Sequence, residues 1–205
     1  LKQFGGVRWF ALFLPVIVSA QDWGGLHVVQ GDVDVSKRFT LQLHTRMRTN
    51  DHFGQFFQSR GGPIGFFLLS KKVSLVGGYY FIGEKNRSGA LNDFHRFFGG
   101  AQYRLAEGRK WKLDGRTLVE QFAGVAAGNF QRGRQRMTMT MGRGMVRPYL
   151  QGEGLRQEGR WLGRLSGGLN VKNFAVGYEL RQGAHGGYMH LITTTMTMRL
   201  RTVEK

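Results

Sequence analysis

No cysteine occurs among the 205 residues, which removes a disulfide framework, thiolate metal sites and a cysteine nucleophile together. Acidic side chains are scarce, 13 against 30 Lys and Arg. Long apolar runs are scarcer still. Trp9 to Val18 is the one such run, and it is about half the ~20 residues a spanning helix needs. The motifs of common hydrolases and nucleotide binders are also missing: no His-Glu-x-x-His, no Gly-x-Ser-x-Gly and no P-loop.

The short apolar run has a meaning of its own. Lys2 and Arg8 precede it, and Val18-Ser19-Ala20 ends it with residues that suit signal-peptidase cleavage. This is the three-part pattern of a secretory signal, with cleavage expected after Ala20. Residues 1–20 read as a signal peptide and 21–205 as one exported domain. With no spanning helix, an exported chain is periplasmic, secreted or an outer-membrane barrel.

The net charge of +17 would by itself suggest nucleic acid as a partner. Its distribution argues otherwise. The basic residues recur at alternate positions through many segments, with no basic tail and no recognition helix.

Beyond residue 21 the dominant period is two. Phe39, Leu41, Leu43 and Met47 alternate with Gln42, His44, Arg46 and Arg48. Arg132, Arg134, Arg136, Thr138 and Thr140 alternate with Met137, Met139 and Met141. Phe174, Val176, Tyr178 and Leu180 alternate with Glu179 and Arg181, and Ile192, Met196, Met198 and Leu200 with Thr193, Thr195, Thr197 and Arg199. Successive strand residues point to opposite faces, so each segment has an oily face and a wet one. Further strands are expected over 55–68, 73–81, 93–104, 111–122, 146–156 and 161–171, which makes ten. Residues 23–35 read as an eleventh of undecided role, so the expected count is ten to twelve.

The connections alternate in length. Tight ones fall at 70–71, 107–108, 142–144 and 172–173, and looser ones at 49–54, 82–91, 123–131, 156–160 and 183–187. Short turns at one rim and longer loops at the other describe a transmembrane β-barrel. The fold class expected is all-β, a single closed antiparallel up-and-down transmembrane barrel. A soluble barrel is oily inside, and burying several arginines per strand in a dry core would be prohibitive without partners. Lipid outside and a polar interior resolve this, and closure satisfies every backbone hydrogen bond. Trp23, Trp111 and Trp161 at strand starts, and Tyr79, Phe81 and Tyr188 near strand ends, suit interfacial aromatic girdles.

Several local motifs resemble a family of bacterial outer-membrane β-barrel proteins known only as a domain of unknown function. They are Asn92-Asp93-Phe94-His95-Arg96, the strand from Arg116 to Gln121, Arg132 to Arg136, Arg147-Pro148-Tyr149 followed by Glu153, and Gly177-Tyr178-Glu179-Leu180-Arg181 before a strand containing His190. The resemblance covers most of residues 22–201. It implies a barrel and brings no activity with it. The final residues, Arg199 to Lys205, lack the terminal aromatic of many such proteins, a departure that bears on recognition by the barrel-insertion machinery.

The candidate site is a basic ladder on the polar face: Arg46, Arg48, Arg96, Arg104, Arg116, Arg132, Arg134, Arg136, Arg164 and Arg181. Asp114, Glu120, Glu153 and Glu179 share that face as acidic partners. Arginine forks can bridge carboxylates across strands and fill a barrel of about ten strands, a structural role. The same ladder can instead form a narrow passage biased toward anions. The alternative class is an outer-membrane lipid-modifying enzyme of lipid-A deacylase or phospholipase type. Its histidine would be His44, His95 or His190, the last beside Thr194, although none lies in a His-x-Ser arrangement. Asp32 and Asp34 are too few for a calcium site. The expectation is therefore no metal, no cofactor and no nucleic acid, with outer-membrane lipid, the insertion machinery and, for a passage, small anions as partners.

Overall fold

Period-two alternation becomes eleven strands in the computed structural model, which describes residues 23–50, 52–86, 88–124, 129–183 and 187–200. The strands are β1 (Trp23–Asp34), β2 (Phe39–Asn50), β3 (Gln55–Ser70), β4 (Val73–Lys85), β5 (Leu91–Gly108), β6 (Trp111–Ala123), β7 (Phe130–Met141), β8 (Val146–Gln157), β9 (Arg160–Val171), β10 (Phe174–Gln182) and β11 (Tyr188–Leu200). Each pairs with its neighbours in sequence, and the sheet closes on itself as a barrel. The expected signal peptide, residues 1–20, lies outside the described residues.

Closure brings the one departure from an all-antiparallel wall. β1 pairs in parallel with β11, from Trp23 opposite His190 to Val33 opposite Leu200. With an odd number of strands, the first and last run the same way, so their contact must be parallel. Residues 23–34 are therefore a full member of the wall.

The connections separate into two rims. Turns 35–38, 71–72, 109–110, 142–145 and 172–173 lie at one end, and the strand ends Asn50, Lys85, Ala123, Gln157 and Gln182, from which the other connections leave, lie at the other. One connection expected to be loose is tight: β8 and β9 are joined by Glu158 and Gly159 alone, both at positive φ (49° and 77°). Two successive left-handed residues are what a two-residue type I′ hairpin turn requires.

The outward face is apolar. Leu43, Val119, Leu165 and Met196, on four different strands, are 59%, 64%, 48% and 49% exposed. Polar residues on this face pair among themselves. Gln135 Nε2 donates to Tyr103 Oη at 2.8 Å, and Tyr103 Oη meets Thr117 Oγ1 at 3.0 Å. His27 Nδ1 joins Thr194 Oγ1 at 2.9 Å across the parallel contact, and Tyr79 Oη joins His95 Nδ1 at 2.7 Å.

The inward face differs from the uniformly polar surface that alternation suggests. On β3 to β6 it carries an apolar cluster of Ile64, Val76, Tyr80, Ile82, Phe98, Leu118 and Phe122, with Phe66, Phe94 and Phe130 packed against it. These residues share parity with the inward Arg96 and Glu120, so rings and charged groups intermix on β5 and β6, and the charged network continues onto β7 to β9. Glycine allows close approach within the wall: a Cβ on Gly62 would stand 2.1 Å from the Tyr79 carbonyl oxygen.

Candidate functional site

Two carboxylates organise the charged network. Glu120, on β6, is fully buried and bonds the guanidinium of Arg96. It also accepts from Arg132 Nε at 2.7 Å and Arg134 Nη1 at 3.3 Å. Glu153, on β8, accepts from Arg134 Nε at 2.7 Å, Arg136 Nε at 2.9 Å and Arg164 Nη1 at 2.8 Å. Arg134 therefore bridges the two carboxylates. The geometry follows from register, because Arg132 faces Glu120 across β6/β7, while Arg136 and Arg164 flank Glu153 from β7 and β9. Two smaller pairs complete the set. Arg181 Nε donates to Glu179 at 2.9 Å, and Arg104 Nε donates to Asp114 at 2.9 Å.

Rings back the guanidiniums. Arg96 lies 4.9 Å from the Phe98 centroid and 5.2 Å from that of Tyr80. Arg132 lies 4.7 Å from that of Phe122 and Arg48 3.9 Å from that of Phe57. A cation over an aromatic face gains electrostatic attraction that strengthens as water is removed. Arg96 is 1% exposed and Glu120 0%, so this part of the network is packed rather than bathed in water.

The buried layer fills the half of the barrel nearer the longer loops. Arg48, Gln58, Tyr80, Ile82, Phe122, Leu155, Arg181 and Leu191 are all buried there, contributed from around the wall. Toward the short-turn rim the interior opens into a basin of about 590 Å³. Arg46, Arg60, Arg116, Arg134, Arg136 and Arg164 line its deeper part, with Glu153 and Glu179. Lys112, Asp114, Arg147 and Lys172 line it nearer the mouth.

Of the sequence candidates, Arg46, Arg116, Arg134, Arg136, Arg164, Asp114, Glu153 and Glu179 line the basin. Arg48, Arg96, Arg181 and Glu120 belong to the buried layer, Arg132 is half-buried against Glu120, and Arg104 lies near the rim beside Asp114. Sequence reasoning missed Arg60, Arg147 and Lys112. Arg60 stands two residues after the inward Gln58, and that spacing was the available signal.

The three candidate histidines each lie against a tyrosine. His190 Nδ1 bonds the hydroxyl of Tyr178 on the outer face, close to Trp23, while Thr194 is taken by His27. The His190–Thr194 pairing that the lipid-modifying alternative would have used is replaced by these two contacts. His95 bonds Tyr79, and His44 points into the barrel against Tyr80. Asp32 and Asp34 accept from Gln42 at 2.7 Å and Thr40 at 2.9 Å. No cluster of three metal-ligating residues occurs among the described residues.

The two rims differ in charge. The short turns carry Lys37, Arg38, Lys71, Lys72, Arg109, Lys110, Arg143 and Lys172 and no acidic residue. The opposite loops carry Asp51, Arg87 and Glu158 in sequence.

Comparison with protein-family models, with curated proteins and with solved structures returned no match. The function must be argued from the barrel itself.

Proposed function

We propose that this chain is an integral outer-membrane β-barrel of a Gram-negative-type bacterium, non-conducting and filled at one end by its own side chains. The observation that carries this reading is the outward face, where large apolar side chains stand exposed on strands all around the barrel. A soluble monomer rarely exposes apolar patches beyond a few hundred Å². The hydrogen-bonded pairs on that face support the same reading, because hydrocarbon offers polar groups no other partner. The signal-like N-terminal sequence supports export, and the resemblance to outer-membrane proteins agrees with it.

The buried layer favours a structural role over a through-passage. It places side chains, not water, across the half of the interior nearer the longer loops. The test is membrane fractionation with gel mobility before and after boiling, followed by planar-bilayer recording. Outer-membrane fractionation, faster migration of the unboiled band and electrical silence are expected. Recovery as a soluble periplasmic protein would overturn the membrane assignment, and steady single-channel current would overturn the closed interior.

A further inference from the structure

We infer that the basin binds a phosphorylated, hydroxyl-rich solute, of the sugar-phosphate class, entering from the short-turn side. The starting point is an imbalance of charge. Arg134, Arg136 and Arg164 share the single carboxylate of Glu153. Arg46, Arg60 and Arg116 line the same cavity, and among the described residues none of them has a carboxylate within ion-pair distance. Arg46 donates to Gln58 at 2.9 Å. Arg60 and Arg116 lean on the rings of Tyr80 and Phe66, and each leaves a buried Nε without a hydrogen-bond partner. His44 Nδ1, in the same lining, is also buried and unsatisfied.

The register makes this worse. Arg46 stands directly opposite Arg60 across β2/β3, and Arg116 opposite Arg136 across β6/β7. Like charges directly opposed on a sheet repel. Buried polar atoms are nearly always paired, and an unpaired donor costs its full desolvation. An anion with several acceptor oxygens in the basin would meet the accessible ends of these guanidiniums, which no carboxylate meets, while the buried Nε atoms and His44 Nδ1 stay out of its reach. Phosphate suits planar guanidinium forks, which it can engage bidentately, and it carries more charge than chloride or one carboxylate.

The remaining lining gives the class of solute. A cavity of about 590 Å³ is of the size that holds a small organic ligand, not a bare ion. Away from the arginines it presents Gln30, Gln151, Ser166, Thr193, Thr195 and Thr197, a wall of hydroxyls and amides. Such groups match the hydroxyls of a sugar. The mouth supplies the approach. Lys112, Arg147 and Lys172 stand in it, and the basic short turns encircle it, so the field draws anions inward. The membrane reading enters only in naming the compartment that the mouth faces, the periplasm by analogy with other short-turn rims.

The experiment is calorimetric titration of the folded barrel in uncharged detergent with glucose 6-phosphate, inorganic phosphate and glucose. Glucose 6-phosphate is expected to bind, phosphate more weakly and glucose not at all. The double variant Arg60→Gln/Arg116→Gln should lose about tenfold or more in affinity while keeping its heat-modifiable mobility. Affinity should also fall as salt rises from about 50 to about 300 mM. As a second readout, sugar phosphate should raise the unfolding temperature of the wild type and not of the double variant. A heat-modifiable barrel that binds neither phosphate compound overturns the inference and leaves the membrane assignment standing. Undiminished binding by the double variant also overturns it. Equal affinity for phosphate and sugar phosphate removes the hydroxyl wall from the site.

Discussion

Glu153 and Arg164 meet at 2.8 Å across the β8/β9 ladder, and the same carboxylate also receives Arg134 and Arg136. One acidic group on β8 thus holds three cations in place from the two strands beside it, β7 and β9. Removing one partner of a buried pair leaves uncompensated charge and typically costs about 3–5 kcal/mol. Glu153→Gln is expected to lower the unfolding free energy by about that amount, measured by urea titration in lipid vesicles. Adding Arg164→Gln to it should cost less than the sum of the two single changes, because the two residues share one network.

Depth along the outer face gives a second prediction. Leu43 lies mid-strand on β2 and Val146 at the short-turn end of β8, and they are similarly exposed, at 59% and 50%. In lipid, Leu43→Arg should cost about 2–4 kcal/mol and Val146→Arg about 0–1 kcal/mol. Folding titrations into vesicles would give both values. Equal and small costs would mean that the outer face meets water.

The parallel contact can be tested by cross-linking, since the chain has no native cysteine. Val29 and Met196 are register partners on the outer face. Val29→Cys with Met196→Cys should form a disulfide on mild oxidation, seen as altered mobility on a non-reducing gel. Val29→Cys with Met137→Cys, which lies on β7, should not.

Two glycines give a paired control for packing in the wall. Gly62→Ala would drive a methyl into the Tyr79 carbonyl, whereas a Cβ at Gly133 meets nothing within 4 Å. The first should destabilise by about 1–3 kcal/mol and the second hardly at all, measured by unfolding midpoint.

The strands were legible because alternation survives in nearly all of them, and the inward arginines of β7 and the outward methionines could be read from parity alone. Partner choice was not legible. Period two identifies residues 23–34 as a strand, but pairing β1 with β11 joins residues about as far apart as the described chain allows. Arg60 was missed because its strand runs into Gly61, Gly62 and Pro63, where alternation of side-chain type breaks down. The inner apolar cluster could have been read. Phe94, Arg96 and Phe98 share parity, as do Leu118, Glu120 and Phe122, but a rule of polar-in and apolar-out hides rings beneath guanidiniums. The basic short turns are also visible in sequence once the rims are told apart.

Joining the first wall strand to the last has a kinetic consequence. Hairpins from β1/β2 through β10/β11 can form as soon as each pair of strands is present, but the final zipper needs β11, the last strand delivered. Until then the curled sheet keeps two unsatisfied edges, each able to capture a strand from another molecule. Contacts of the greatest sequence separation are the slowest to form. Closure between β1 and β11 is therefore the step at which assembly would stall, and an escort covering those edges would help most there.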